Sequence, residues 1–262
     1  MRPINLTITV EAIHDNYIGC YISDLQESIR LCYYPEDSTL SINQENNLSR
    51  TLHNNKVQFE KVIRSAIKGK MTIGQTINCV FIEDFNFIQE SDFSRYIRVD
   101  RRNGELAITT SDTGTEEIHK IYADGSHAAE TGLSGFGGFT QDLSGKRATY
   151  NASFKEGSSN QMELMAVIKG LQLLELVEEI QINTDSRFVI RGLAQWVHFW
   201  RHNNWQTAYG CDVKFAKCWQ QIDQLCDNKV IEMKWIKGHS GNAEQTFCHD
   251  LAKQATTVVK FK

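Results

Sequence analysis

The sequence predicts an α/β chain in two parts, a mixed sheet flanked by helices in the C-terminal half preceded by a smaller α+β domain. Three observations predict it. The chain has 262 residues, more than the usual single-domain size of about 100–150 residues. A polar stretch from Thr109 to Glu117, TTSDTGTEE, lacks apolar periodicity and carries a turn-forming Asp-Thr-Gly. Beyond it, three strand-like runs are followed by helix alternating with strand, the order of a sheet with helices on its faces. The expected domains are therefore 1–112 and 113–262, and all five tryptophans lie in the second.

In the first part, ITVEAI, IGCYIS, IRLCYY and INCVFI read as strands and VQFEKVIRSAIKG as a helix. A hairpin is signalled by Asn103-Gly104 between YIRVD and LAITT, a dipeptide suited to a type I′ turn. No catalytic motif is visible in this half. Lys61, Arg64 and Lys68 mark a basic helix face, the ordinary reading of which is a solvated surface.

In the second part, IHKIYAD, GLSGFGGFTQ and RATYNASF read as strands. The helix over SSNQMELMAVIKGLQLLELV follows, with Leu164, Val167, Ile168, Leu171 and Leu174 at helical spacing. EIQINTD is a strand, SRFVIRGLAQWVHFW and VKFAKCWQQIDQLC are helices, VIEMKWIKG closes the strands, and AEQTFCHDLAKQATT is the last helix.

The bulk numbers narrow the function classes. Hydrophobic residues at 41% and charged residues at 23% are those of an ordinary globular chain. A net charge of -4 gives no overall basic footprint, so any nucleic-acid site must be a local patch. Seven cysteines without a CxxC pair argue against a disulfide framework or a structural zinc site. The N-terminal MRPINLTITVEAIHDNY meets polar and acidic residues too early for a signal peptide, and no apolar run approaches the roughly 20 residues of a membrane span. A cytoplasmic location and no membrane partner are expected.

A strand–helix–strand crossover is right-handed and sets the fourth strand of the second part parallel to its first. Asp124 and Asp185 then sit at the carboxyl ends of neighbouring strands, where open α/β sheets place ligands. Glu163 lies near the start of the intervening helix. Three carboxylates without cysteine or histidine suit a hard cation, Mg²⁺ or Mn²⁺, and two such ions about 3.5–4 Å apart suit phosphodiester hydrolysis. Each acid also has a local reading: Asp124-Gly125-Ser126 as a turn, Asp185-Ser186 as a helix cap, and Asn160 through Glu163 as a capping box.

The strand-end DGS, the helical MELMA, the strand-end TDS and the late GH recur in that order in the ribonuclease H type 1 family, which residues 118–257 resemble. The resemblance implies a five-stranded mixed sheet and an endonuclease that cuts the RNA strand of RNA–DNA hybrids, using two Mg²⁺ or Mn²⁺ ions and leaving 5′-phosphates. By position it makes Asp124 the shared metal ligand, gives one ion each to Glu163 and Asp185, and makes His239 the histidine that assists proton movement or product departure. It departs at the fourth acid, where Cys248-His249-Asp250-Leu251-Ala252 puts His249 at the ligand position in register. Asp250 is the alternative if the helix start shifts by one residue. Asn160 matches a family residue that hydrogen-bonds at the minor groove, with Ser159 and Gln161 as its neighbours, while Gly125, Ser126 and the GFGG strand read either as letting RNA backbone approach or as strand bulges. Arg187, Trp196, Trp200, Trp205 and Lys214, with Arg191, Arg201, His202 and Lys217, resemble the family's basic protrusion on the DNA strand, diluted here by Asn203, Asn204 and Asp212. The rival reading is a non-cleaving hybrid-binding protein with a degenerate fourth ligand. The N-terminal domain does not match the small hybrid-binding module that some family members carry, and is expected to bind nucleic acid, recruit a protein partner or promote dimerisation.

Overall fold

A computed structural model of the chain describes residues 3–24, 26–82, 88–104, 106–207, 211–238 and 240–257. They form two compact units, Met1–Phe85 with His198–Lys214, and Asn86–Val197 with Phe215–Lys262.

The first unit is built on five antiparallel strands: β1 (Pro3–Ile13), β2 (Ile18–Ser23), β3 (Ser28–Tyr34), β4 (Thr39–Ile42) and β5 (Thr76–Ile82), in the order β4-β3-β2-β1-β5. Strict alternation in β2 buries Ile18, Cys20 and Ile22 on one face, as a half-buried strand requires. Two helices, α1 (Asn47–Asn54) and α2 (Lys56–Lys68), contribute Leu48, Leu52, Phe59 and Ile63 to the same core as that sheet face. Neither β4 nor α1 was expected. Four residues with only partial burial give β4 almost no pattern, and α1 is set by the Asn46–Ser49 capping box more than by length.

The second unit holds β6 (Tyr96–Asp100), β7 (Ala107–Ser111), β8 (His119–His127), β9 (Ser134–Gln141), β10 (Arg147–Phe154), α3 (Ser159–Leu173), β11 (Glu179–Thr184) and α4 (Arg187–Arg191). A π turn over Gly192–Trp196 leads into α5 (Val197–His202), whose residues from His198 onward belong to the first unit, and the second unit resumes with α6 (Ala216–Leu225), β12 (Val230–Trp235) and α7 (Ala243–Thr257). Strand order is β10-β9-β8-β11-β12-β6-β7. β11 runs parallel to β8 and to β12, with Ile182 opposite Ile121 and Met233, while β8–β9–β10 is an antiparallel meander. The mixed sheet, with its fourth strand beside and parallel to its first, is thus as expected.

Two expectations need correction. The sheet has seven strands, because β6 adds to β12 in antiparallel register with Ile97 opposite Met233 and β7 adds to β6. Ile97 and Val99 are buried there, so the hairpin completes a core face and shields an otherwise open edge. A boundary between residues 112 and 113 therefore cuts through a compact unit. The supposed linker is ordered as well: Thr109–Ser111 belong to β7, and Thr115 donates from N and Oγ1 to the buried Glu232 carboxylate. Asn103 and Gly104 both adopt positive φ, 59° and 72°, but the β6–β7 ladder closes at Asp100–Ala107, a longer loop than a two-residue turn. Among the described residues no helix is long and apolar enough to cross a membrane.

Candidate active site

Asp124 ends the buried part of β8, and Asp185 immediately follows β11, so the parallel β8–β11 pairing brings them to one end of neighbouring strands. Glu163 sits on α3, capped not by Asn160 but by Ser158, whose side chain accepts from Gln161 N. The capping-box reading of Glu163 therefore fails, and its carboxylate is left to face the two aspartates. It can do so because α3 lies almost on the strand. A Cβ on Gly125 would come within 2.4 Å of Glu163 N and 2.7 Å of Met162 C. The room at Gly125 is thus taken by α3, which corrects the expectation that this glycine makes space for RNA backbone.

One oxygen from each of Asp124, Glu163 and Asp185 lies within 4.8 Å of the others. Burial, then the charges of Asp124 and Asp185, holds the Glu163 carboxyl well above its ordinary range. Burial likewise raises Asp124, partly offset by His249 and by the Gly125 N–H. Like charges so close cannot all ionise without compensation. Glu163 Oε2 is buried with no hydrogen-bond partner, an arrangement that a hard divalent cation would satisfy.

His249 faces the acids from α7, its Nδ1 3.0 Å from Asp124 Oδ2. Asp250 is exposed and does not line the cleft, so the structure brings in His249 and leaves Asp250 out. α7 lies against the strand beside Asp124: Gly137 is opposite Asp124 in the β8–β9 ladder, and a Cβ there would meet Leu251 Cβ at 2.4 Å. The cleft is lined by Asp124, Asp185, Lys237, Ser240, Asn242, Gln245, Thr246 and His249. The sequence reading missed Gln245, although its place four residues before His249 puts both on one helix face. His239 lies outside the described residues.

The proposed substrate residues are scattered. Ser126 follows Gly125 on β8, while Ser159, Asn160 and Gln161 open α3 with Ser159 and Asn160 exposed. Arg187 stacks over Trp235, 4.3 Å from the ring centroid, and pairs with Glu90 at 2.7 Å, and Arg191 also pairs with Glu90. Arg187 is thus largely committed within the protein, which weakens its expected role on phosphate. Trp196 packs on Phe188, which in turn meets the buried Trp219 edge-on. Trp200, Trp205 and Lys214 fall in the other compact unit, with the N-terminal sheet.

The RNase H family model matches residues 116–257, the stretch that supplies the three acids and His249. The chain belongs to the RNase H family. A ribonuclease H from Escherichia coli O9:H4 (strain HS) is 35% identical over 136 residues, covering 52% of this chain and 87% of that one. One from Shigella boydii serotype 18 matches with the same identity and coverage. Among solved structures, LC9-RNase H1, a type 1 RNase H with the type 2 active-site motif, shares 26% identity at a TM-score of 0.48, over 56% of this chain and 74% of that chain. The family match begins beyond β7, so the RNase H unit here carries the β6–β7 hairpin in addition to the matched region.

Proposed function

We propose that this chain is an endoribonuclease that hydrolyses the RNA strand of RNA–DNA hybrids with two divalent cations, Mg²⁺ or Mn²⁺, and leaves 5′-phosphomonoesters. The observation that supports this most directly is the cluster of Asp124, Glu163 and Asp185 within a region matched by the RNase H family. Asp124 would be the shared ligand, Glu163 and Asp185 would each hold one ion, and His249 would stand in the fourth ligand position. Bound divalent cations supply Lewis acidity and a more acidic water at the phosphorus. The chain's own residues orient the site: Gly125 admits α3 so that Glu163 reaches the aspartates, and the Trp235 indole donates to Asp185 O at 2.9 Å, fixing the strand end. His239 is proposed to help move a proton to the departing oxygen or to assist product departure, because an imidazole can both donate and accept a proton.

Hybrid contacts are assigned to Ser126, Ser159, Asn160 and Gln161 on the RNA side, and to Trp196, Trp200, Trp205 and Lys214 on the DNA side. The N-terminal unit would add affinity for nucleic acid or a protein partner. Seven cysteines, none of them in a disulfide, accord with a reducing, cytoplasmic setting.

The deciding experiment compares cleavage of end-labelled RNA–DNA, RNA–RNA and DNA–DNA duplexes in Mg²⁺ and in Mn²⁺ by the wild type and Asp124→Asn. Cutting confined to hybrid RNA and abolished by Asp124→Asn would support the assignment. Tight hybrid binding without cutting in either metal would favour the non-cleaving reading, which His249 in place of an acid also suggests.

A further inference from the structure

The cleft contains a buried group that the acids do not account for. Gln245 lies in the first turn of α7, where its backbone N–H donates to Asn242 Oδ1 at 2.8 Å. Its side chain is 4% exposed yet lines the cleft together with Asp124, Asp185 and His249. Among the described residues, neither Oε1 nor Nε2 has a hydrogen-bond partner. Buried amides are nearly always paired, since an unmet donor or acceptor forfeits its hydration with nothing in return. An amide held unmet at the edge of a reactive cleft is explained if a bound molecule meets it.

The surroundings say what kind of molecule. Three carboxylates occupy the floor of this site, and an anionic phosphodiester must be drawn beside them. A lysine or arginine at this point would compete with divalent cations for the carboxylates, and a glutamate would add to their repulsion. A neutral amide offers N–H donors without disturbing that balance. Ser240, Asn242 and Thr246 extend a polar rim on the same side.

We propose that Gln245 contacts the scissile phosphodiester, Nε2 donating to a non-bridging oxygen while Oε1 accepts from a water beside it. Gln245 is then a substrate-positioning side chain of the hydrolysis, and its burial fixes the donor before substrate arrives. This inference rests on the ribonuclease reading above.

The test uses the full chain with Gln245→Leu, which keeps volume but removes both polar atoms, and Gln245→Asn, which keeps the amide on a shorter arm. Three quantities are measured: the thermal midpoint, the affinity for a fluorescently labelled RNA–DNA hybrid in EDTA, and single-turnover cleavage in Mg²⁺. Gln245→Leu is expected to unfold at or above the wild-type midpoint, because an unmet amide has been removed. It should cleave roughly 10- to 100-fold more slowly, the loss of one hydrogen bond to a charged group. Gln245→Asn should fall between the two in rate. Wild-type cleavage by Gln245→Leu would overturn the proposal, as would a lowered midpoint, which would mark a packing role. If the wild type cuts no hybrid, the ribonuclease reading fails separately, and hybrid affinity in EDTA decides: several-fold weaker binding by Gln245→Leu supports the phosphate contact, and equal binding overturns it.

Discussion

His249 Nδ1 lies 3.0 Å from Asp124 Oδ2, and the two side chains differ sharply in exposure, 43% against 5%. A ring nitrogen thus stands at the rim of an otherwise all-oxygen cluster. Imidazole holds Mn²⁺ tolerably and Mg²⁺ poorly. His249→Asp is therefore expected to favour Mg²⁺, lowering the ratio of Mn²⁺-supported to Mg²⁺-supported cleavage by about tenfold. Initial rates titrated against each metal check this, and an unchanged ratio would remove His249 from the metal site.

Stability without metal should depend on pH in an unusual direction. Burial raises both Asp124 and Glu163, with the neighbouring acids adding to the effect at Glu163. The unfolded chain therefore releases these protons first as pH rises. Their stabilising share is fully present below the ordinary carboxylate range and is lost as pH rises through the elevated folded values. Thermal midpoints in EDTA should fall over that window, and Mg²⁺ should restore them. Glu163→Gln should flatten the profile and raise the metal-free midpoint, by about 2–4 °C for each kcal/mol of repulsion relieved. A wild-type profile that is flat in EDTA would contradict the electrostatic account.

Gly125→Ala should damage catalysis beyond its effect on folding. The added methyl would meet Glu163 N and Met162 C, both backbone atoms, at 2.4 and 2.7 Å, so α3 must shift and take Glu163 with it. Overpacking of this kind costs about 1–3 kcal/mol, while a displacement near 1 Å at the site costs on the order of 100-fold in rate. Chemical denaturation and single-turnover cleavage on one preparation separate the two. Rate and stability near wild type would mean that the helix is not seated as described.

Arg101 should matter to the catalytic unit even though it precedes the family match. It is 7% exposed and bonds the Asp223 carboxylate and carbonyl, each at 3.0 Å, tying the end of β6 to α6. Arg101→Ala would break the buried Arg101–Asp223 pair, a loss of about 3–5 kcal/mol readable by urea unfolding. Removal of residues 1–112 takes away β6, β7 and Arg101 together, so that truncation should unfold more easily than one beginning at residue 86. Equal stability would make the hairpin an appendage.

The catalytic half was largely legible because its signals are local and repeated. Leu164, Val167, Ile168 and Leu171 mark the buried face of α3, and each acid sits where a strand or helix pattern begins or stops. The order of elements then implied that Asp124, Glu163 and Asp185 converge. What could not be read depends on partners distant in sequence. Ile97 and Val99 alternate like any strand, and nothing in YIRVD announces that its neighbour is β12, about 130 residues later. Arg187 looked like a free cation until Glu90 and Trp235 appeared beside it. Gln245 looked like an ordinary polar helix residue, because a missing hydrogen bond leaves no mark in a sequence.

The seating of α7 on β9 bears on how freely the family can vary. At Gly137 almost any replacement is vetoed by Leu251, and Gly135 is under the same constraint from Ala255. Such positions accept little mutation, but the helix they lock in place presents each outward side chain at a fixed address. The residue at position 249 can therefore be exchanged without accommodation by the backbone. A single substitution at 249 would thus change the group offered to the cleft while α7 keeps its seat on β9.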